Sequence, residues 1–136
     1  MSIDTYLLFN GDCAEAFKSY EKILGGKIEG IMTHGESPMA DQVAPEWRDK
    51  VIHVRMIVGN RALMGSDAPP QHYQKPQGFS VSLSTKDVSE SEHLFKELSK
   101  GGVVTMPLQK TFWSAAFAMF TDRFGIPWMI NCEKAS

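Results

Sequence analysis

Chemistry in this chain has to come from a short list of side chains. His53 and Arg55 alternate with Ile52, Val54 and Met56 in the run Val51–Val58, and Ser80, Ser82 and Ser84 alternate with Phe79, Val81 and Leu83. Residues two apart share one face of an extended strand, so each polar row lies opposite an apolar one. Arg55 carries a planar fork suited to holding a carboxylate or phosphonate at two points, and is equally suited to a structural salt bridge. His53 reads either as a ligand contact or as a satisfied structural histidine. The serine row has no His–acid pair beside it, so it reads as hydrogen-bonding groups lining a cavity rather than as a triad. Cys13 stands at a helix start, where the helix dipole favours a thiolate, but the neighbouring Asp12 opposes one, and a buried packing role is the simpler reading. Cys132 alternates with Trp128 and Ile130 and is expected to face a helix. Phe112 and Trp113 can stack on a ligand or fill a core. His34 with Glu36 could chelate an ion, although a lone loop histidine is ordinarily a solvated polar group.

The elements that must position these groups form a pattern that occurs twice. Ile3–Phe9 reads as a strand, followed by Asn10-Gly11 and by Asp12 with Glu15, the spacing of a capping box. Ala16, Phe17, Tyr20, Ile23 and Leu24 recur at helical spacing until Gly25-Gly26 stops them. Lys27–His34 is a strand, Gly35–Lys50 a long loop, and Val51–Ser66 a strand pair turning at Gly59-Asn60-Arg61. After the loop Ala68–Gln77 the order restarts. Gly78–Thr85 is a strand, a helix runs from Lys86-Asp87 to about Lys100 with Val88, Ser91, Leu94, Phe95 and Leu98 inward, and Gly101-Gly102 stops it. Val103–Lys110 is a strand, and Ser114–Thr121 and Pro127–Cys132 pair through Asp122-Arg123-Phe124-Gly125. Val51–Ser66 lines up with Ala116–Asn131, Met64 falling on Met129, which makes this an internal repeat. The expected class is therefore α+β, with two tandem β-α-β-β-β modules, about 1–67 and 78–134, forming curled sheets around a semi-polar cavity. With no linker between them, the modules should make a single domain over 1–136.

Bulk composition excludes several functions. At 136 residues, 43% of them hydrophobic, the chain can bury a core, and a net charge of −2 without a basic stripe gives no surface for nucleic acid. The start MSIDTYLLFNG has no basic leader and no apolar run reaches membrane-spanning length, so a cytoplasmic protein without a membrane partner is expected. Two cysteines without zinc-type spacing are expected to stay reduced.

Four stretches, YLLFNGDCAEAFKSYEKILGG, LMGSDAPP, the doublet GG before VVTMPLQKTFW, and TDRFGIPWMINC, make the whole chain resemble the vicinal oxygen chelate superfamily of glyoxalases, extradiol dioxygenases and drug-resistance proteins. More narrowly they resemble its PhnB-like branch, whose members often bear the name of a demethylubiquinone methyltransferase. The resemblance implies a divalent-metal site at Thr5, Met64, Ser80 and Met129, but those side chains do not suit a hard or borderline cation. No metal and no cofactor are therefore expected. Methyl transfer is not expected either, because the glycine doublets follow helices and no Gly-rich strand-to-helix turn is present to cradle the methyl donor. What remains is a small-molecule-binding protein whose cavity includes Thr5, His53, Arg55, Met64, Ser66, Ser80, Ser82, Trp113, Met129 and Asn131. The resemblance also implies a homodimer. The rival is a metal-dependent lyase, isomerase or dioxygenase with ligands from loops or a partner subunit, and a structural dimeric scaffold is the third reading.

Overall fold

The computed structural model describes residues 1–133. The chain divides into two compact units, Met1–Gln74 and the part from Lys75 onward. Each holds one helix on a four-stranded mixed sheet.

In the first unit the strands are β1 (Thr5–Phe9), β2 (Lys27–Thr33), β3 (Val51–Val58) and β4 (Arg61–Asp67), ordered β1-β4-β3-β2. β1 lies parallel to β4, and the other pairs are antiparallel. Helix α1 (Cys13–Leu24) buries Cys13, Ala16, Phe17 and Tyr20, the three-and-four spacing that aligns one helical face. Against it the sheet presents Leu7, Phe9, Val54, Met56 and Leu63, all buried. The contact is close at Gly65, where an added Cβ would come 2.7 Å from the Phe17 ring.

The second unit repeats this with β5 (Val81–Thr85), α2 (Val88–Ser99), β6 (Val103–Gln109), β7 (Ser114–Thr121) and β8 (Pro127–Glu133), ordered β5-β8-β7-β6. Ala116, Ala118, Phe120, Trp128, Ile130 and Cys132 form its buried sheet side, and Phe95 of α2 meets Phe120 edge-on with centroids 5.7 Å apart. Asp122 organises the β7–β8 turn. Its Oδ1 accepts the Phe124 and Ile126 N–H groups, each at 2.9 Å, and its Oδ2 accepts the indole N–H of the buried Trp128 at 2.8 Å.

The tandem β-α-β-β-β order stands, with local differences. β1 starts at Thr5 rather than Ile3, and β5 at Val81 rather than Gly78, which leaves Ser80 outside the paired strand. The repeat holds beyond the turns, Met64 and Met129 both sitting on the inner strand next to the parallel edge. The second turn is one residue longer, so Arg55 and not Val54 is the counterpart of Met119 opposite those methionines. The capping box proposed for α1 does not form, since Asp12 makes no side-chain cap bond. Asp67, arriving from β4, takes the N–H groups of Gly11 at 2.9 Å and Cys13 at 3.0 Å instead. Helix α2 is capped locally, Asp87 accepting from Glu90 N at 2.7 Å while Glu90 accepts from Lys86 N at 3.1 Å.

Candidate functional site

Strand alternation leaves each sheet one face turned away from its helix. In the first unit that face carries Tyr6, Leu8, His53, Arg55, Met64 and Ser66, and the register places Tyr6 beside Met64 and Met64 beside Arg55. The Tyr6 hydroxyl lies 3.2 Å from His53 Nδ1, with the rings stacked at 5.8 Å. His53 is therefore held by a neighbour and still exposed. Thr5, the expected site residue, falls on the helix side with Leu7 and Phe9, so Tyr6 replaces it on the open face. The signal was available in the sequence, because Tyr6 has the opposite parity to Leu7 and Phe9.

Arg55 is ion-paired with Glu29. A β-bulge makes this possible: Ile28 pairs with Met56 and Gly30 with Arg55, so Glu29 is the extra residue. Nothing in the alternation of β2 announces such a bulge. The pair borders a shallow groove of about 390 Å³ lined by Glu29, Gly30, Ile31, Met32, His53 and Arg55. Both partners are nearly half exposed, at 46% and 48%, so solvent screens the attraction to about 0–1 kcal/mol. A ligand oxyanion can replace Glu29 at that cost.

The second unit's open face carries Ser82, Ser84, Phe117, Met119, Met129 and Asn131, with Ser82 beside Met129 and Ser84 beside Asn131. Ser80 lies before this strand. Trp113 neither fills the core nor stands free: it is 47% exposed and meets the Phe117 ring edge-on at 5.3 Å. Phe112, 85% exposed, leans on Trp113 in turn. The Asn131 Oδ1 atom is buried with no hydrogen-bond donor among the described residues.

In each unit separately the parallel edge pairs a hydroxyl with a thioether, Tyr6 beside Met64 and Ser82 beside Met129, and neither pair offers the donors a hard divalent ion prefers. Among the described residues no three His, Cys, Asp or Glu side chains cluster to replace them. His34 does not chelate with Glu36. Its Nε2 lies 3.4 Å from the Asp67 carbonyl oxygen, while Glu36 accepts the Thr33 N–H at 3.0 Å. The Thr33 N–H first, and then the Thr33 hydroxyl donating at 2.9 Å, lower the Glu36 pKa from its ordinary value, so this loop-entry clasp is fully present above the ordinary value and is lost as pH falls through the lowered one.

Cys13 is buried, and burial first, then Asp67 and Asp12, push its thiol far above the ordinary range. A thiol that stays protonated is a poor nucleophile. We expect iodoacetamide at about pH 8 to leave Cys13 and the buried Cys132 unmodified in native protein and to modify both in denaturant. Rapid native labelling of Cys13 would return it to the list of catalytic candidates.

These features have relatives. Residues 2–130 match the family model described as Glyoxalase/Bleomycin resistance protein/Dioxygenase superfamily, and the chain belongs to that family. It is 33% identical to Protein YjdN of Escherichia coli (strain K12), the match covering 98% of this chain and 97% of YjdN. The crystal structure of protein PA1353 from Pseudomonas aeruginosa is 47% identical with a TM-score of 0.91, covering 99% of each chain. A Bacillus cereus PhnB protein, whose name proposes a 3-demethylubiquinone-9 3-methyltransferase, is 22% identical with a TM-score of 0.82, covering 97% of this chain and 99% of that one. At that identity the likeness is one of fold.

Proposed function

We propose that the protein binds a small anionic organic molecule, with Arg55 as the anchor for its carboxylate or phosphonate. The observation that carries this reading is the Arg55 guanidinium at a groove of the open face, paired among the described residues with a screened, displaceable carboxylate. His53 and Tyr6 supply polar contacts beside it. The second unit's open face, taken by itself, offers apolar area at Trp113, Phe117, Met119 and Met129, with Asn131 beside Ser84. Met64, Ser66, Ser82 and Met129 complete the proposed set, from which Thr5 and Ser80 are withdrawn by their placement.

Isothermal titration with methylphosphonate and benzoate tests the anchor. Saturable binding that weakens about 10-fold to 100-fold in Arg55→Ala is expected, the worth of a charge-assisted two-point contact. Binding indifferent to that substitution, or no binding of either anion, overturns the proposal.

The reading includes a cytoplasmic setting and no resident metal or cofactor. No helix among the described residues is long and apolar enough to cross a membrane. Elemental analysis after mild purification is expected to find no stoichiometric zinc, nickel, manganese or iron; one ion per chain resistant to dialysis favours the metal-dependent rival. Methyl transfer is disfavoured because each sheet has four strands and a single helix, without the doubly wound crevice that holds a methyl donor. S-adenosylmethionine at millimolar concentration should accordingly leave the thermal midpoint unchanged.

A second reading, an enzyme, is favoured by one observation: the Tyr6–His53 hydrogen bond, a pairing able to pass a proton to a bound substrate. The assembly proposed with either is a C₂ homodimer with the Gly35–Lys50 loop near the contact or the site mouth. Its support is the apolar area left open at Tyr6, Leu8, Ile31 and Met32, each 43–46% exposed. Light scattering at micromolar concentration should give twice the chain mass; a single-chain mass unchanged on concentrating excludes the dimer.

A further inference from the structure

The long segment between β2 and β3 is an ordered excursion rather than a slack connection. Its neck is closed by His34 N–H to the Lys50 carbonyl and Gly35 N–H to the Arg48 carbonyl, both at 2.8 Å. Within it run three single-turn 3-10 helices, His34–Glu36, Ala40–Gln42 and Pro45–Trp47. The segment after β4 is fixed too, Ala68 N–H donating to the Phe9 carbonyl at 2.9 Å and Tyr73 N–H to the Pro69 carbonyl at 3.0 Å. Between the two segments lies a pocket of about 470 Å³ whose walls include His34, Val43, Glu46, Trp47, Pro69 and Pro70. It shares no residue with the groove at Arg55, and its volume suits a small molecule.

The lining selects a ligand by charge and by shape. An indole, two proline rings and a valine give rigid apolar walls. Glu46 is the single carboxylate among the lining residues, which include neither lysine nor arginine. The surrounding stretch from His34 to Lys50 carries four carboxylates against one arginine and one lysine. An anion is repelled here, and an uncharged apolar ligand would strip water from Glu46 without compensation. A cation with an apolar body meets both demands, since aromatic faces and carboxylates each attract it. The Trp47 indole N–H is itself buried, with no acceptor among the described residues, so the ring and not the N–H is what Trp47 offers a ligand.

We infer that this pocket binds a small ammonium compound, its apolar body against Trp47, Pro69 and Pro70 and its charge beside Glu46. Choline is the probe, and its neutral carbon isostere, dimethylbutanol, is the control. The readout is the indole N–H resonance of Trp47, assigned by its loss in Trp47→Phe. Choline should shift that resonance saturably and bind about 10-fold or more tightly than the isostere, and Glu46→Gln should weaken choline about 5-fold with the rest of the spectrum unchanged. Equal binding of the isostere, indifference to Glu46→Gln, or the absence of a saturable shift overturns the assignment. None of these outcomes depends on anion binding at Arg55.

Discussion

Replacing Asp67 by alanine is expected to lower stability by about 3–5 kcal/mol, because three inward-facing backbone donors lose their acceptor at once. The carboxylate is 3% exposed. Oδ1 takes the N–H groups of Gly11 and Cys13, and Oδ2 takes that of Val51 at 2.9 Å. One side chain at the end of β4 thereby fixes the end of β1, the first turn of α1 and the start of β3. An unmet buried donor costs about 1–3 kcal/mol, and partial entry of water keeps the sum below three times that. At this chain length the midpoint should fall by about 10–20 °C. Asp67→Asn should cost roughly half as much, since its carbonyl can still serve Gly11 and Cys13 while its amide opposes Val51 N–H. Thermal denaturation of the two variants, with exchange rates of the three amides, checks this. A loss under about 1 kcal/mol in the alanine variant shows that α1 holds without the clasp.

Asp67 also shows where sequence reasoning stops. Asp12 and Glu15 had the spacing of a cap, yet the effective acceptor came from β4, far along the chain. Local spacing cannot reveal that, because only the parallel pairing of β1 with β4 brings Asp67 to the helix start. The repeated module order, by contrast, was fully legible. Strand alternation, helical spacing and glycine stops are local signals, and all of them agreed.

The candidate site was legible to the same depth. Alternation put His53, Arg55, Ser82 and Asn131 on the faces away from the helices, where they stand. It failed at Thr5, where counting back from a helix start replaced the parity already visible in Leu7 and Phe9. It could not reach Glu29, because a bulge breaks period two without changing composition. Because Arg55 is paired with Glu29, an anion proposed to bind there has to displace that carboxylate, and any affinity measured includes the exchange.

Of the glycine pairs, Gly102 should be the least replaceable. Both doublets were expected to stop helices. Gly25 does so as the left-handed cap of α1 at φ +69°. Helix α2 instead ends at Lys100, whose ψ of 122° leaves the helix, and Gly101 at φ +78° serves the turn that follows, closed by Gly102 N–H to the Ser99 carbonyl at 2.9 Å. The second glycine has another role in both units. A Cβ on Gly26 would lie 2.9 Å from a Val58 methyl and 3.0 Å from the Ile57 carbonyl oxygen; one on Gly102 would lie 2.1 Å from the Thr121 carbonyl oxygen and 2.9 Å from the Asp122 backbone. A side-chain methyl can turn aside, but backbone at the end of β7 cannot, being held there by pairing with β6 and by the Asp122 turn. Gly102→Ala is therefore expected to destabilise by about 3 kcal/mol or more, the upper range for overpacking. Gly25→Ala, with nothing within 4 Å of its added Cβ, should lose only the about 1 kcal/mol of a left-handed backbone. Denaturant titrations of the two variants give the comparison. Equal losses would mean that the β6–β7 junction yields easily, and that the second glycine of the doublet serves the helix end alone.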